Sequence, residues 1–323
     1  MKTGSNIAST MNALGKKGEA FTFLINFEGT EAHIFAPDDN TQIRWKTNRA
    51  QNCSFHSPAV PIEKWNIEPV DYSSYKNGFD RIQHHILNGD TYLLNFTQET
   101  KIDTNLSLEE IFEISEARYK ILFENRFVCF SPETFVQIEQ GKIAAFPMKG
   151  TINASLENAR EKILADSKEL AEHNTIVDLI RNDLSLVAEN VSVEKFRYLE
   201  RIKTNQNDLW QVSSKITGNL PDDYAANIGT IICSMLPAGS VSGAPKNKTC
   251  QIIRAAEKYD RGFYTGVFGH FDGQNLDSCV LIRYIENQNG QLVYKSGGGI
   301  TFLSEATAEY KEMLNKVYVP ITY

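Results

Sequence analysis

The hydrophobic rhythm of the chain changes several times. Gly18 to Phe35 alternates apolar and polar positions and is rich in aromatics (AFTFLINF, EAHIF), as strands on a half-buried sheet do. Residues 38–70 carry several prolines and many polar positions and read as an irregular connection. From Tyr72 to Asn88 the period lengthens: Phe79, Ile82, His85 and Ile86 fall on one stripe, which predicts a helix. TYLLNFTQETKI, after Gly89-Asp90, predicts a strand, and Leu108 to Arg118 a helix. RFVCF and TFVQIE predict two strands bracketing Ser131-Pro132-Glu133. Gly141 to Phe146 reads as a turn entering a short apolar strand, ended by Pro147, with Gly150-Thr151 as a tight exit. Residues 157–187 predict a long helical region that breaks near Asp183-Leu184-Ser185. The last third alternates between helix and strand (GFYTGVFGHF, SCVLIRYIE, QLVYKSGGGI), and a final helix starts near Ser304. Such interleaving predicts an α/β (α+β) fold with mixed sheets.

Composition removes several classes of function. The 323 residues are 41% hydrophobic and 23% charged, as in ordinary globular chains. A net charge of −7 with interspersed signs lacks the basic stripe of a nucleic-acid binder. No apolar run near the ~18 residues of a membrane helix stands out, and the first twenty residues lack a signal pattern. The expectation is a soluble cytoplasmic protein with no nucleic-acid or membrane partner. Cys53, Cys129, Cys233, Cys250 and Cys279 are odd in number and contain no C-x-x-C pair, which argues against a disulfide framework or thiolate zinc site. None sits in a G-x-C-x-G elbow, so the chain shows no glutaminase nucleophile of its own.

Three features carry candidate chemistry. Glu169 and Glu172, and again Glu309 and Glu312, stand three apart in helical segments, so each pair shares one helix face. Two such faces together would make an oxygen-rich site for a hard cation such as Mg²⁺; solvated helix faces carry the same spacing. A di-iron site wants Glu-x-x-His, and the residue three before His173 is Leu170. LPAGSVSGAPK places Gly239, Ser240, Ser242 and Gly243 ahead of Pro245, an anion-friendly helix start. SGGGI at 296–300 offers a second glycine-rich backbone. Neither is a Walker or dinucleotide loop. Lys149, in FPMKGTIN, sits between a strand end and a glycine. Read alone it is a solvated loop lysine or a functional amine.

Read together, these segments resemble the chorismate-utilising enzymes. The carriers stand in the family's order from about Tyr72 to Val319: GDTYLLNFTQ, SPETF, FPMKGT, EHNTIVDLIRNDLSLVA, LPAGSVSGAPK, RGFYTGVFGHFD, VLIRYI, SGGGI and SEATAEYKEMLNKV. The resemblance implies sheets packed together with helices outside, a catalytic part at 71–323, and residues 1–70 belonging to the same fold. It implies Mg²⁺ held by Glu172 and Glu309, with Glu169 and Glu312 supporting. It places the general acid/base at Glu133 and substrate contacts at Tyr264, Arg283, Lys316 and the backbone of Gly297, Gly298 and Gly299. Lysine at 149 resembles the aminodeoxychorismate-forming branch, where it is the proposed nucleophile; anthranilate-forming relatives usually carry alanine. The water-adding branch has a lysine where Leu93 stands. Gln211 occupies a position where many relatives have histidine, so it can hydrogen-bond substrate without acting as an acid or base. The resemblance implies that ammonia comes from a separate glutamine amidotransferase subunit. An anthranilate-forming enzyme and a non-catalytic chorismate binder are the alternatives.

Overall fold

A computed structural model describes residues 4–55, 61–202 and 208–321. Two antiparallel sheets pack face to face, and helices cover their outer faces. The first sheet runs, edge to edge, through Met148–Asn153, Leu209–Asn219, Lys142–Ala145, Thr134–Glu139, Leu276–Val280, Val267–Phe271, Phe21–Ile25 and Ala32–Phe35, with Glu189–Ile202 also paired to Leu209–Asn219. The second runs through Gly243–Ala244, Leu93–Thr104, Gln291–Ile300, Tyr284–Gln288, Phe127–Ser131, Tyr119–Phe123 and Ile43–Lys46, with Trp65–Pro69 added against Leu93–Thr104. Leu24, Phe35 and Phe268 of the first sheet meet Trp45, Tyr119, Phe123 and Phe127 of the second in one buried layer.

Every ladder among the described residues is antiparallel, where mixed sheets were expected. Some pairs, such as Tyr119–Phe123 with Phe127–Ser131, close through short hairpins, which permit only antiparallel neighbours; others, such as Leu93–Thr104 with Gln291–Ile300, join distant segments.

Helices follow their apolar stripes. Tyr72–Leu87 buries Tyr75, Phe79, Ile82 and Ile86 against Phe96, Ile252, Ile253 and Met313, beside Lys246–Ala256 and Ala306–Asn315. Asp71 caps its start by accepting from Ser74 N–H. On the other outer face, Gly4–Lys16 lays Ile7 and Met11 on Ile228, Ile231 and Ile232. Residues 224–241 do reach the length and apolar content of a membrane span, contrary to the sequence expectation. The stretch is not one helix: it is a 3₁₀ turn, the helix Ile228–Ser234, Pro237 and a second 3₁₀ turn at Gly239–Val241, with its apolar side chains in the core.

A buried ion pair ties the second sheet to that last turn. Arg261 donates to Glu257 Oε1 and Oε2 at 2.6 and 2.8 Å, and to the carbonyls of Val241 and Asn95 at 2.9 and 2.7 Å. Glu257 also accepts from Thr97 N–H at 2.8 Å. Removing one member strands a buried charge, so Glu257→Ala is expected to cost about 3–5 kcal/mol. Chemical denaturation checks this; a loss below about 1 kcal/mol, the range of an exposed pair, would contradict it.

Candidate active site

The segment Phe146–Asn153 departs from its sequence reading. The strand Lys142–Ala145 does end before Pro147, but a second strand starts directly after it at Met148. Lys142–Ala145 and Met148–Asn153 both pair with the long strand Leu209–Asn219, and Ser214 N–H still reaches Pro147 O at 3.0 Å. A long neighbour thus carries the pairing across the proline. Gly150, at φ +76°, marks a register shift between Lys149 and Thr151, the place where a bulge re-aims side chains. A Cβ at Gly150 would lie 2.8 Å from Glu169 Oε2, so glycine also permits close approach of the helix Ser167–Ser185.

Lys149 faces a cavity of about 240 Å³ between the sheets. Its lining brings together Glu133, Lys149, Gln211, Tyr264, Arg283, Gly297, Gly298, Gly299, Glu312 and Lys316. Asn95, Ser240, Tyr294 and Lys295 line it as well; their cavity roles were missed. Ser240 was visible in a glycine-rich motif, but only as part of an anion loop. Asn95 and Tyr294 sit in strands whose inward positions cannot be told from pattern alone.

Glu133 lies between Phe127–Ser131 and Thr134–Glu139. Its N–H donates to Ser131 Oγ at 3.1 Å, and its carbonyl accepts from Val280 N–H at 3.1 Å. Burial pushes its carboxyl above the usual range, against the opposing pull of the Ser240 hydroxyl, Lys316 and Lys149. A raised carboxyl holds its proton to higher pH than an ordinary glutamate, the direction a general acid needs.

Lys149 behaves differently from a lysine primed by desolvation. Burial is the largest single influence and disfavours its charge, but the carboxylates of Glu172, 2.7 Å from Nζ, Glu169 and Glu312 together raise the pKa. The amine is therefore held as an ammonium. Glu172 stands 23 residues away in sequence.

The cationic side is held by backbone. Lys316 Nζ donates to Gly297 O and pairs with Glu312 Oε1, both at 2.7 Å. Arg283, at φ +55°, donates from Nη1 to Lys316 O at 3.0 Å. Tyr264 is buried, which drives its hydroxyl's pKa well up and keeps it a neutral hydrogen-bonding group. Gly297–Gly299 form a strand, not a loop, paired to Asn95–Thr97. They run beyond Tyr284, where the neighbouring strand starts, so that edge of their backbone faces the cavity. Ahead of the helix Lys246–Ala256, Gly243–Ala244 pairs with Leu93–Leu94, and Ala244 O accepts from Tyr92 N–H and Thr91 Oγ.

The four glutamates approach the cavity in two groups. Glu172 meets Lys149, and Glu169 lies against Gly150. On the other side, a Cβ at Gly298 would lie 3.5 Å from Glu312 Oε1 and 3.6 Å from Glu309 Oε2; Ser304 Oγ donates to Glu309 Oε1 at 2.7 Å. No three acidic, histidine or cysteine side chains among the described residues converge as a ready cage. The donor set fits a hard cation that takes one or two carboxylates and completes its shell with substrate and water, the habit of Mg²⁺. Such an ion would compete with Lys149 for Glu172 and with Lys316 for Glu312.

Known proteins extend this picture. Residues 20–322 match the family model described as chorismate binding enzyme. The chain is 46% identical over 322 residues to an uncharacterized PabA-like protein of Pasteurella multocida, covering 96% of this chain and 97% of that one. It is 30% identical to aminodeoxychorismate synthase component 1 of Klebsiella aerogenes, covering 92% and 67%. Against anthranilate synthase component 1 of Acetivibrio thermocellus it is 31% identical, covering 84% and 57%. The menaquinone-specific isochorismate synthase of Escherichia coli shares the fold, with a TM-score of 0.76 at 15% identity, covering 98% of this chain and 81% of that one. With a family model matched over nearly its whole length, and that family's segments gathered around one cavity, this chain belongs to the chorismate binding enzymes.

Proposed function

We propose that the protein converts chorismate and ammonia to 4-amino-4-deoxychorismate, acting as the ammonia-using component of an aminodeoxychorismate synthase on the way to p-aminobenzoate and folate. The observation that carries this reading is Lys149, an amine lining the same cavity as the acid Glu133. Leu93, where the water-adding branch has its lysine, is buried and cannot act as a base.

Arg283, Lys316 and the free edge of Gly297–Gly299 bind the substrate carboxylates; an arginine fork suits a carboxylate better than a point charge. Tyr264 and Gln211 supply neutral hydrogen bonds. Glu172 and Glu309, with Glu169 and Glu312 in support, would hold Mg²⁺, which when bound would neutralise the ring carboxylate. The neutral amine of Lys149 attacks C2 as the ring double bond shifts and the C4–O bond breaks; Glu133 gives its proton to the departing hydroxyl, which leaves as water. Ammonia then adds at C4, expels the lysine amine, and returns a proton to Glu133. The resting ion pair with Glu172 holds Lys149 protonated, so its ammonium proton must first pass to Glu172 or to solvent before the amine attacks.

Because the chain has no glutaminase elbow, glutamine should serve as nitrogen donor only with a separate amidotransferase subunit. Purified protein with chorismate and Mg²⁺ should consume chorismate when ammonium is added and not with glutamine alone. Chorismate left untouched in ammonium would defeat the proposal. The comparable likeness to an anthranilate synthase favours a second reading, and product fluorescence separates the two, since anthranilate fluoresces strongly.

The metal assignment has its own test. Glu172→Gln should raise the Mg²⁺ concentration needed for half-maximal chorismate consumption by about tenfold, one carboxylate–cation contact being worth about 1.4 kcal/mol or more. An unaltered Mg²⁺ titration would remove Glu172 as a ligand.

A further inference from the structure

We infer that Ser240 is the positioning residue of Glu133, fixing which carboxyl oxygen presents the proton to the cavity. This deepens the reading above and rests on Glu133 as the acid. Ser240 Oγ donates to Glu133 Oε1 across 107 residues of sequence. A hydroxyl hydrogen aimed at Oε1 makes that oxygen the acceptor, which favours the proton of a protonated Glu133 on Oε2.

The serine can do this because its turn is clamped. Ser240 is the middle residue of the 3₁₀ turn Gly239–Val241. Ser242 Oγ ties the turn back to Ala238 O at 2.8 Å. Beneath it, Asp183 presses so close that a Cβ at Gly239 would lie 2.8 Å from Oδ2. Asp183 is held in turn by Lys246 Nζ at 2.7 Å, which also donates to Met235 O at 2.9 Å. Arg261 grips Val241 O from the other side. A donor on such a clamped turn holds its direction while the substrate changes.

The charged groups around the acid cannot fix its geometry. Lys149 from Met148–Asn153 and Lys316 from the end of Ala306–Asn315 favour the ionised form but are already directed at Glu172, Glu312 and Gly297 O. Asp183 and Lys246 lie behind the turn and neutralise each other. The Cys279 thiol on Leu276–Val280 is buried and protonated, its pKa driven up by that burial. After Glu133 has given its Oε2 proton to the departing hydroxyl, the same serine hydrogen bond solvates the carboxylate until the amination step returns a proton.

The test follows chorismate consumption with ammonium across pH in wild type, Ser240→Ala, Ser240→Thr and Glu133→Gln. Ser240→Ala should lower kcat about tenfold or more with KM within about twofold, the pattern of an interaction needed in the transition state. It should also move the alkaline limb to higher pH, because the lost hydrogen bond favours the ionised carboxyl. Threonine should restore both. Ser240→Cys, similar in size but a weak donor, gives the same readout if the alanine variant does not fold. A raised KM with unchanged kcat and pH profile would make Ser240 a substrate contact and overturn the inference, as would wild-type behaviour of the alanine or cysteine variant. A fully active Glu133→Gln would overturn it together with the acid assignment. Anthranilate as product would defeat the proposed function alone, since chorismate loss is read whatever forms.

Discussion

Lys149→Ala is expected to end formation of 4-amino-4-deoxychorismate, with a fall of about 10³-fold or more, the scale on which losing a nucleophile is felt. Any residual turnover should shift towards C2 and appear as fluorescent anthranilate. The expectation follows from position and chemistry together. The bulge at Gly150 sets Lys149 on the cavity wall, and a Cβ at Gly299 would lie 3.6 Å from its Nζ, so the amine reaches the strand whose backbone would hold the substrate. Lysine bound at C2 would block that carbon and direct ammonia to C4. Its ion pair with Glu172 makes an electrostatic role the competing account. Lys149→Arg separates them, because arginine keeps the charge but is not deprotonated in proteins. The covalent account predicts an inactive arginine variant by chromatographic product assay. An alanine variant with wild-type product and rate would remove Lys149 from the chemistry.

Glu133→Gln is expected to lower kcat by about 10²–10⁴, the usual worth of a positioned acid, with the KM for chorismate little changed. Glutamine keeps the shape and can still accept from Ser240, but has no transferable proton. The loss should therefore lie in the chemical step, visible in single-turnover quench experiments. Its sign with pH is fixed: the acid works while protonated, and burial raises its pKa, so wild-type activity should fall as pH rises through a value above that of an ordinary glutamate. A glutamine variant with unchanged kcat would assign proton transfer elsewhere.

The periodic elements were legible because their own side chains decide them. Tyr72–Leu87 announced itself through Phe79, Ile82 and Ile86, and a strand was expected after Gly89-Asp90. Ile43–Lys46 and Trp65–Pro69 were not: each pairs with a stronger strand, Tyr119–Phe123 or Leu93–Thr104, and owes its form to that neighbour. Residues 38–70 therefore looked like a connection yet add strands to the second sheet. Within the site, motif positions such as Glu133, Arg283 and Gly298 do meet at one cavity. Pairings between distant segments were invisible, because nothing in either sequence neighbourhood marks them. Glu172 setting the charge of Lys149 and Ser240 reaching Glu133 are the two that matter most.

The central claim is amination at C4 of chorismate. Its most direct test is the identity of the product formed by the purified protein with chorismate, Mg²⁺ and ammonium at mildly alkaline pH, read by mass spectrometry and fluorescence together. The account predicts a non-fluorescent product with the mass of aminodeoxychorismate; fluorescent anthranilate in its place would contradict it.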